Sequence, residues 1–342
     1  MSRDLLIVGF DGGTHIGGSL SRAADRLAIG YSFADASRAF EGSRAVRALT
    51  WRMGHRPPKL RSFSREVVSM CELWRPRWLV ATGSAPIDAR SLARIGELGT
   101  RRLVFVTDDP WNRSVRADWF FQALPQYDQV YTPRWANVED LQRLGCPSVG
   151  YLPFGFDPDL SFREEPHTAP EWREFATDVA FVGGADADRV PYISALLRAG
   201  IRVNLYGGYW NRFRATRQSH KGHADVATVR KATSGASVAL CLVRRANRDG
   251  HVMRSLEIPA MGGCMLVEDT DEHRALFGDS GELVATFRGI DEMIDRVRWL
   301  LSNTTERRRL ATAAHDRVHA AHHTYADRLE QMLEPVTAGS AW

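Results

Sequence analysis

Short apolar runs alternate along this chain with helix-like stretches, and each run is closed by glycine or a polar turn. "LLIVGF" (5 to 10) ends in "DGG", and further runs follow at "WLVAT" (78 to 82), "RLVFVT" (102 to 107), "QVYT" (129 to 132) and "VGYLPF" (149 to 154). Helical stretches lie between them at 17 to 28, 63 to 75, 87 to 98 and 135 to 144, and the first presents Leu20, Ala24 and Leu27 inward. A buried strand that feeds a helix and returns as another buried strand builds a parallel sheet covered on both faces.

The alternation stops at "DPDLSFREEPHTAPEWREFAT" (157 to 177), where three prolines and many charges leave no sustained period. This segment is expected to be a linker without a regular element. Alternation resumes with "DVAFVGG" (178 to 184), a helix near 189 to 199, "IRVNLYGG" (201 to 208), a helix near 225 to 233 and "SVALCLV" (237 to 243). A helix through the charged stretch "RDGHVMRSLEIPAMGGC" (248 to 264) follows, then "CMLVED" (264 to 269), "LVATF" (283 to 287) and two helices filling 290 to 334. A length of 342 residues suits two α/β domains, each of about 150 residues. The expected division is 1–157, a linker at 158–177, a second domain at 178–314 and a closing segment at 315–342.

Hydrophobic residues at 44% and charged residues at 25% are ordinary globular values and exclude a largely disordered chain. Lys and Arg exceed Asp and Glu by four (45 against 41), and Arg dominates the cations, which favours anionic ligands held bidentately. Cysteines 71, 146, 241 and 264 are scattered, with neither a CxxC pair nor metal-ligand spacing. Nowhere do 18 apolar residues run together, so no transmembrane segment or signal peptide is expected. The expectation is a cytoplasmic protein, with peripheral membrane contact through basic side chains left open, no nucleic-acid partner and an unspecified oligomeric state.

In open α/β sheets ligands bind beyond the carboxyl ends of the strands, and glycine there lets backbone N–H groups approach a phosphate. Three glycine loops follow strands in this reading: Asp11, Gly12 and Gly13; Gly183 and Gly184; and Gly207 with its neighbour. Asp108 and Asp109 in "TDDP" invite a metal reading, but the pair more simply ends a strand, with Asp109 restrained by Pro110 and one carboxylate facing the cleft. His315, His319 and His323 repeat at helical spacing, yet the residues between them make a polar helix face. No metal site is expected.

"NRDGHVMRSLEIPAMGGCMLVEDTDEHRALF", with "VAFVGG", "VNLYGGYW" and "RVHAAHHTYADRLEQML", resembles the C-terminal half of the CgeB-like, spore-maturation type of glycosyltransferases. The first domain shares only "DGG", "TDDP" and "YLPFGFDP" with them. These proteins resemble the GT-B superfamily, which implies an α/β fold of two Rossmann-like α/β/α domains with parallel sheets facing across a cleft. The resemblance further implies a nucleotide-diphosphate sugar as donor, held mainly by the second domain. The acceptor, a glycan, small molecule or protein, is held mainly by the first, and neither cofactor nor metal is required. The last helix, from 315, is implied to cross back to the first domain.

In the retaining branch of that superfamily two acidic residues flank seven others. Glu257, followed by Gly262, fits the second position, whose implied role is to accept from the donor ribose hydroxyls, and a carboxylate suits a diol because it has two acceptor oxygens. The first position falls on Asp249 rather than Glu, which puts its sugar contact and the retaining outcome in doubt. Gly250 and His251 lie where a helix N-terminus would offer N–H groups to the diphosphate. Arg254 either pairs with Glu257 or reaches the phosphates. Arg189 falls near a phosphate-binding lysine of the better-known retaining enzymes, and Gly184 replaces the arginine that precedes that lysine. Arg189, Arg254 and Arg244 are therefore unranked candidates for the charge on the leaving diphosphate. Pro259 predicts a kink or early end of the helix. Asp249, His251, Arg254 and His15 are the candidate catalytic residues, His15 as a base or as a lining residue. Asp11, Gly12, Gly13 and Asp109 are expected on the acceptor side.

Rival readings are a nucleotide-binding oxidoreductase, a noncatalytic sugar- or nucleotide-binding or surface-layer structural protein, and a nucleotide-sugar epimerase of the same plan. Glycines 9, 12, 13, 17 and 18 do not make GxGxxG, which argues against the first. The charges in "RDGHVMRSLE" argue against the second, and the third is the hardest to exclude.

Overall fold

The run "LLIVG" is strand β1 (Leu5–Gly9), every residue buried, as expected of a strand covered on both faces. The computed structural model describes residues 4–334 and divides by contacts into two units. In the first, β1 leads to α1 (Ile16–Arg26), β2 (Tyr31–Asp35), α2 (Arg44–Arg52), α3 (Leu60–Trp74) and β3 (Trp78–Thr82). α4 (Ala89–Glu97), β4 (Arg101–Phe105), α5 (Asp118–Ala123), β5 (Gln129–Thr132), α6 (Trp135–Arg143) and β6 (Val149–Tyr151) complete the alternation. The strands form a six-stranded sheet in the order β2-β1-β3-β4-β5-β6, all parallel. Its core joins Leu6 and Val8 of β1 to Phe63 and Val67 of α3 and Leu92 and Ile95 of α4. Because β1 is followed by β2 on one side and β3 on the other, strand order reverses between β1 and β3.

The second unit begins at Phe154. The segment expected to be a structureless linker contains helix α7 (Ala169–Phe175). Its start is a capping box: Thr168 Oγ1 accepts from the Glu171 N–H, Glu171 reaches back to the Thr168 N–H, and a proline stands in the first turn. Lys231 pairs with Glu171, and Phe175 is buried against Tyr206 and Ala232, so tertiary contacts stabilise a helix too short to show periodicity.

β7 (Thr177–Val182), α8 (Arg189–Arg198), β8 (Val203–Tyr206), β9 (His220–Gly222), α9 (Val226–Gly235) and β10 (Ala236–Cys241) come next. They are followed by α10 (Arg254–Ala260), β11 (Met265–Glu268), α11 (Asp271–Phe277), β12 (Ala285–Phe287), α12 (Ile290–Ser302) and α13 (Thr304–Ala320). This sheet is again six parallel strands, ordered β12-β11-β10-β7-β8-β9, so its order reverses between β7 and β10. Val179, Leu205, Leu240 and Leu266 fill its core together with Ile193 of α8 and Val297 of α12.

The stretch 290 to 334 holds three helices rather than two, because α14 (Tyr325–Leu333) follows a break after α13. By contacts α14 belongs to the first unit, where it packs on α1, and α13 belongs to the second. The expected closing segment from 315 therefore begins inside α13. Residues Ala246–Arg248 also belong to the first unit.

Candidate functional site

A sheet opens a crevice where its strand order reverses, and in the second unit that is beyond the carboxyl ends of β7 and β10. Arg189, the first residue of α8, spans this point: its guanidinium donates to the Gly184 carbonyl (3.4 Å) after β7 and to the Leu242 carbonyl (3.2 Å) after β10. Its Nε, 3.7 Å from Asp186 Oδ2, is buried without a hydrogen bond. Burial is the main cause that lowers the Arg189 pKa, with Arg244 adding to it, while Asp186 and Asp249 act in the opposite direction. Arg189 and Arg254 both act electrostatically on Cys241 at the end of β10.

Gly183, Gly184 and Gly207 form adjoining loops: Gly183 N–H donates to the Tyr206 carbonyl and Trp210 Nε1 donates to the Gly183 carbonyl (both 2.8 Å). Gly207 has φ +130°, and a Cβ there would overlap the Gly183 carbonyl, so only glycine lets these loops close on one another.

The residues of "RDGHVMRSLE" mostly hold other protein groups. Arg248 clamps Asp109 through both carboxylate oxygens (2.6 and 3.0 Å) and reaches Asp140 (2.7 Å), all within the first unit. Asp249 is nearly buried, and its N–H donates to the Arg244 carbonyl (3.3 Å). His251 is fully buried: the Phe154 N–H donates to its Nε2 (3.1 Å), which leaves the ring proton on Nδ1, 2.6 Å from Glu272 Oε2. Arg254 forms an ion pair with Glu257, itself 4% exposed.

The expectation that Gly250 and His251 stand at a helix N-terminus is corrected, because α10 starts only at Arg254. The loop before it is clamped to the start of α11. Thr270 Oγ1 donates to the Gly250 carbonyl, and a Cβ on Gly250 would lie 2.5 Å from Glu272 Cδ. Ser255 Oγ accepts from the Val252 N–H (3.1 Å) and donates to His273 Nε2 (2.8 Å), while His273 Nδ1–H donates to the Glu268 carbonyl (2.8 Å). Burial and the neighbouring His251 push His273 down to about 3, so its ring is neutral. Glu268 holds the loop after β10, accepting from the Val243 N–H and pairing with Arg245 (both 2.8 Å), and burial raises its pKa. Helix α10 ends at Ala260, directly after Pro259.

In the first unit, Asp11, Gly12, Gly13 and His15 lie exposed beyond β1, beside the reversal in strand order. Gly12 N–H donates to Asp11 Oδ1 (2.7 Å), and the His15 ring lies 5.5 Å from that of Phe10 at the start of α1. Asp109, expected on the acceptor side, is fully buried, and its oxygens accept from the Trp111 N–H, Asn137 Nδ2 and Arg248. The exposed member of the pair is Asp108, which accepts from Asn247 Nδ2 (3.0 Å).

The structure thus gathers Gly183, Gly184, Arg189, Gly207, Arg244, Asp249, Arg254 and Glu257 in the second unit and buries His251 and Asp109. Sequence reasoning missed Ser255, Glu268, Thr270, Glu272 and His273, which position the loop. Thr270 as N-cap followed by two acids is a helix-start signal, but nothing in that pattern says which loop the helix holds.

Residues 189–334 match the family model described as glycosyl transferase-like. None of the curated protein sequences compared with the chain matches it significantly. Among solved structures it is similar to an Anabaena protein, Alr3699/HepE, in complex with UDP-glucose, at 11% identity and a TM-score of 0.63 over 96% of this chain and 97% of that one. Sucrose-phosphate synthase from Thermosynechococcus elongatus aligns at 13% identity and a TM-score of 0.62 over 96% and 97%. A glycosyltransferase from Rickettsia africae aligns at 9% identity and a TM-score of 0.61 over 97% of each chain. Residues 189–334 are accordingly similar to the glycosyl transferase-like family, and the chain has the GT-B fold, two Rossmann-like domains each built on six parallel strands.

Proposed function

We propose that this chain is a GT-B glycosyltransferase of the CgeB-like type that moves a sugar from a nucleoside-diphosphate donor held by its second unit. The observation that carries this reading is Arg189, whose guanidinium lies across the ends of β7 and β10 with a buried Nε that has no hydrogen bond. Breaking the bond from sugar to phosphate builds negative charge on the diphosphate, and a cation fixed in advance stabilises it most where water is excluded. Arg244 and Arg254 add positive charge nearby, Glu257 accepts from the ribose, and Asp249 stands towards the sugar. The arginines make a divalent ion unnecessary in this reading. The acid pair that flanks seven residues favours retention, with the departing phosphate taking the acceptor proton. The loop Asp11–His15 is the acceptor side.

UDP is the first nucleotide to test, because a structural neighbour is a complex with UDP-glucose. Titration calorimetry should give UDP binding that EDTA leaves unchanged. Arg189→Met should weaken it by about 1.5–3 kcal/mol, the range for hydrogen bonds to charged groups. Binding of UDP, GDP and TDP all absent, or binding that appears only with a divalent ion, would overturn the reading or its metal-free part respectively.

A further inference from the structure

The first unit carries a helix with no buried residue: α2 is exposed along its length, with only Thr50 half-buried. A helix of nine residues on its own is marginal in water, since nucleation is costly. Acid–base pairs do not support it, because from Gly42 to Arg65 the chain has six arginines and one lysine and neither Asp nor Glu. It is held at its ends instead. Ser43 Oγ accepts from the Val46 N–H (3.3 Å). Beyond its far end, the His55 ring lies 4.2 Å from that of Trp51, His55 Nδ1 bonds the Arg116 carbonyl (2.6 Å) and Trp119 Nε1 donates to the His55 carbonyl (3.3 Å).

The sides of this anchored helix differ. Val46, Leu49 and Met53, spaced i, i+3 and i+7, form an apolar stripe with exposures of 44, 60 and 68%, while Trp51, 49% exposed, lies on the other side among the arginines. Arg44, Arg47 and Arg52 flank the stripe, and none of them forms an ion pair among the described residues. Arg47, Trp51, Arg52 and Arg56 line a cavity of about 490 Å³. Arg56 also lines a groove of about 1060 Å³ with Arg61, Arg65, Arg90 and Arg94, so the cationic surface is continuous. Only Arg94 of these five is engaged by acids, Glu72 and Glu97.

We propose that α2 and the adjoining arginine groove dock the first unit on an anionic lipid bilayer, the apolar stripe entering the boundary of headgroups and acyl chains and the arginines meeting lipid phosphates. An amphipathic helix with arginines on its polar side and exposed Val, Leu and Met along the other is the composition that lies in a membrane interface. Each basic residue near an anionic leaflet adds about 1 kcal/mol of attraction. Charge complementarity selects this occupant. A second copy of the chain would oppose arginine to arginine, and a nucleic acid would leave the apolar stripe in water. The proposal stands independently of the transferase reading.

The test is co-sedimentation of the full chain with vesicles of phosphatidylcholine alone or with about 30% phosphatidylglycerol. The wild type should partition only onto the anionic vesicles, less so as salt rises. Leu49→Asp with Met53→Asp should reduce partitioning about tenfold or more, because charged residues replace the buried apolar area. Arg47→Glu with Arg52→Glu and Arg56→Glu should abolish it. Both variants should melt at the wild-type Tm, since these side chains are exposed, and both should keep the wild-type response to UDP. Failure to bind anionic vesicles at low salt, equal binding to neutral vesicles, or unchanged binding of the apolar double variant would each overturn the proposal. So would binding to a duplex oligonucleotide without binding to vesicles.

Discussion

Glu257 shows how one side chain proposed for the ligand is also tied into the fold. It sits in the first turn of α10, 4% exposed, with Arg254 as its partner. A carboxylate paired through one oxygen still has acceptor capacity on the other, and the proposed ribose contact uses that second oxygen. Glu257→Gln keeps the volume but turns one acceptor into a donor, and UDP binding should weaken by about 1.5–3 kcal/mol with the fold intact. The control is 2′-deoxy-UDP, which should bind the wild type less tightly than UDP but lose much less in the variant, as in any double-mutant cycle. Equal losses in both proteins would assign Glu257 to structure alone, as the partner of Arg254.

At the scale of elements, α11 holds the loop at 250 to 255 in part through the neutral His273, and this makes the second unit sensitive to acid. His273 is pushed from 6.5 down to about 3 in the folded chain, chiefly by burial. An unfolded chain takes up a proton near 6.5 that the folded one refuses, so the contribution of His273 is complete above that pH and is lost as pH falls towards 3. Well below 6.5 the loss approaches about 1.4 kcal/mol per pH unit. Denaturant melts between pH 7 and 4.5 should show this slope for the wild type and a shallower one for His273→Gln, whose amide does not titrate. The same slope in both would place the acid sensitivity elsewhere. The sequence revealed the strands that β11 and β10 exemplify, because a strand buried on both faces is a continuous apolar run. It did not reveal β2, β9 or α7: "YSFAD" and "HKG" lie at sheet edges and need no apolar run, and seven residues are too few for a helical period. The clamp from Thr270, Glu272 and His273 onto residues 250 to 255 was equally illegible, since periodicity reports which face is buried and never against which loop.

For the whole molecule, chain order and structural unit part company. The chain builds the first unit, then the second, and returns at Tyr325 to finish the first. Helix α14 packs on α1 and buries Tyr325, Arg328, Leu329 and Met332. Arg328 Nε donates to the Pro153 carbonyl (2.8 Å), and burial lowers its pKa to about 10. Each of the three apolar side chains contributes about 1.5–3 kcal/mol by leaving water. Their sum is comparable with the whole stability of an ordinary domain, about 5–15 kcal/mol. A chain ended after Thr324 should therefore lose amide protection in β1 and α1, whereas β7 and β10, whose core α14 does not enter, should stay protected and UDP should still bind. Hydrogen exchange read by peptide, with and without UDP, separates the two. Leu329→Ala offers a graded version, since a buried leucine cut to alanine costs about 2–5 kcal/mol and should raise exchange in the same first-unit peptides. If β1 stays protected in both proteins, the burial of α14 stabilises nothing beyond itself. If β7 loses protection alongside β1, the two units unfold as one despite their separate cores.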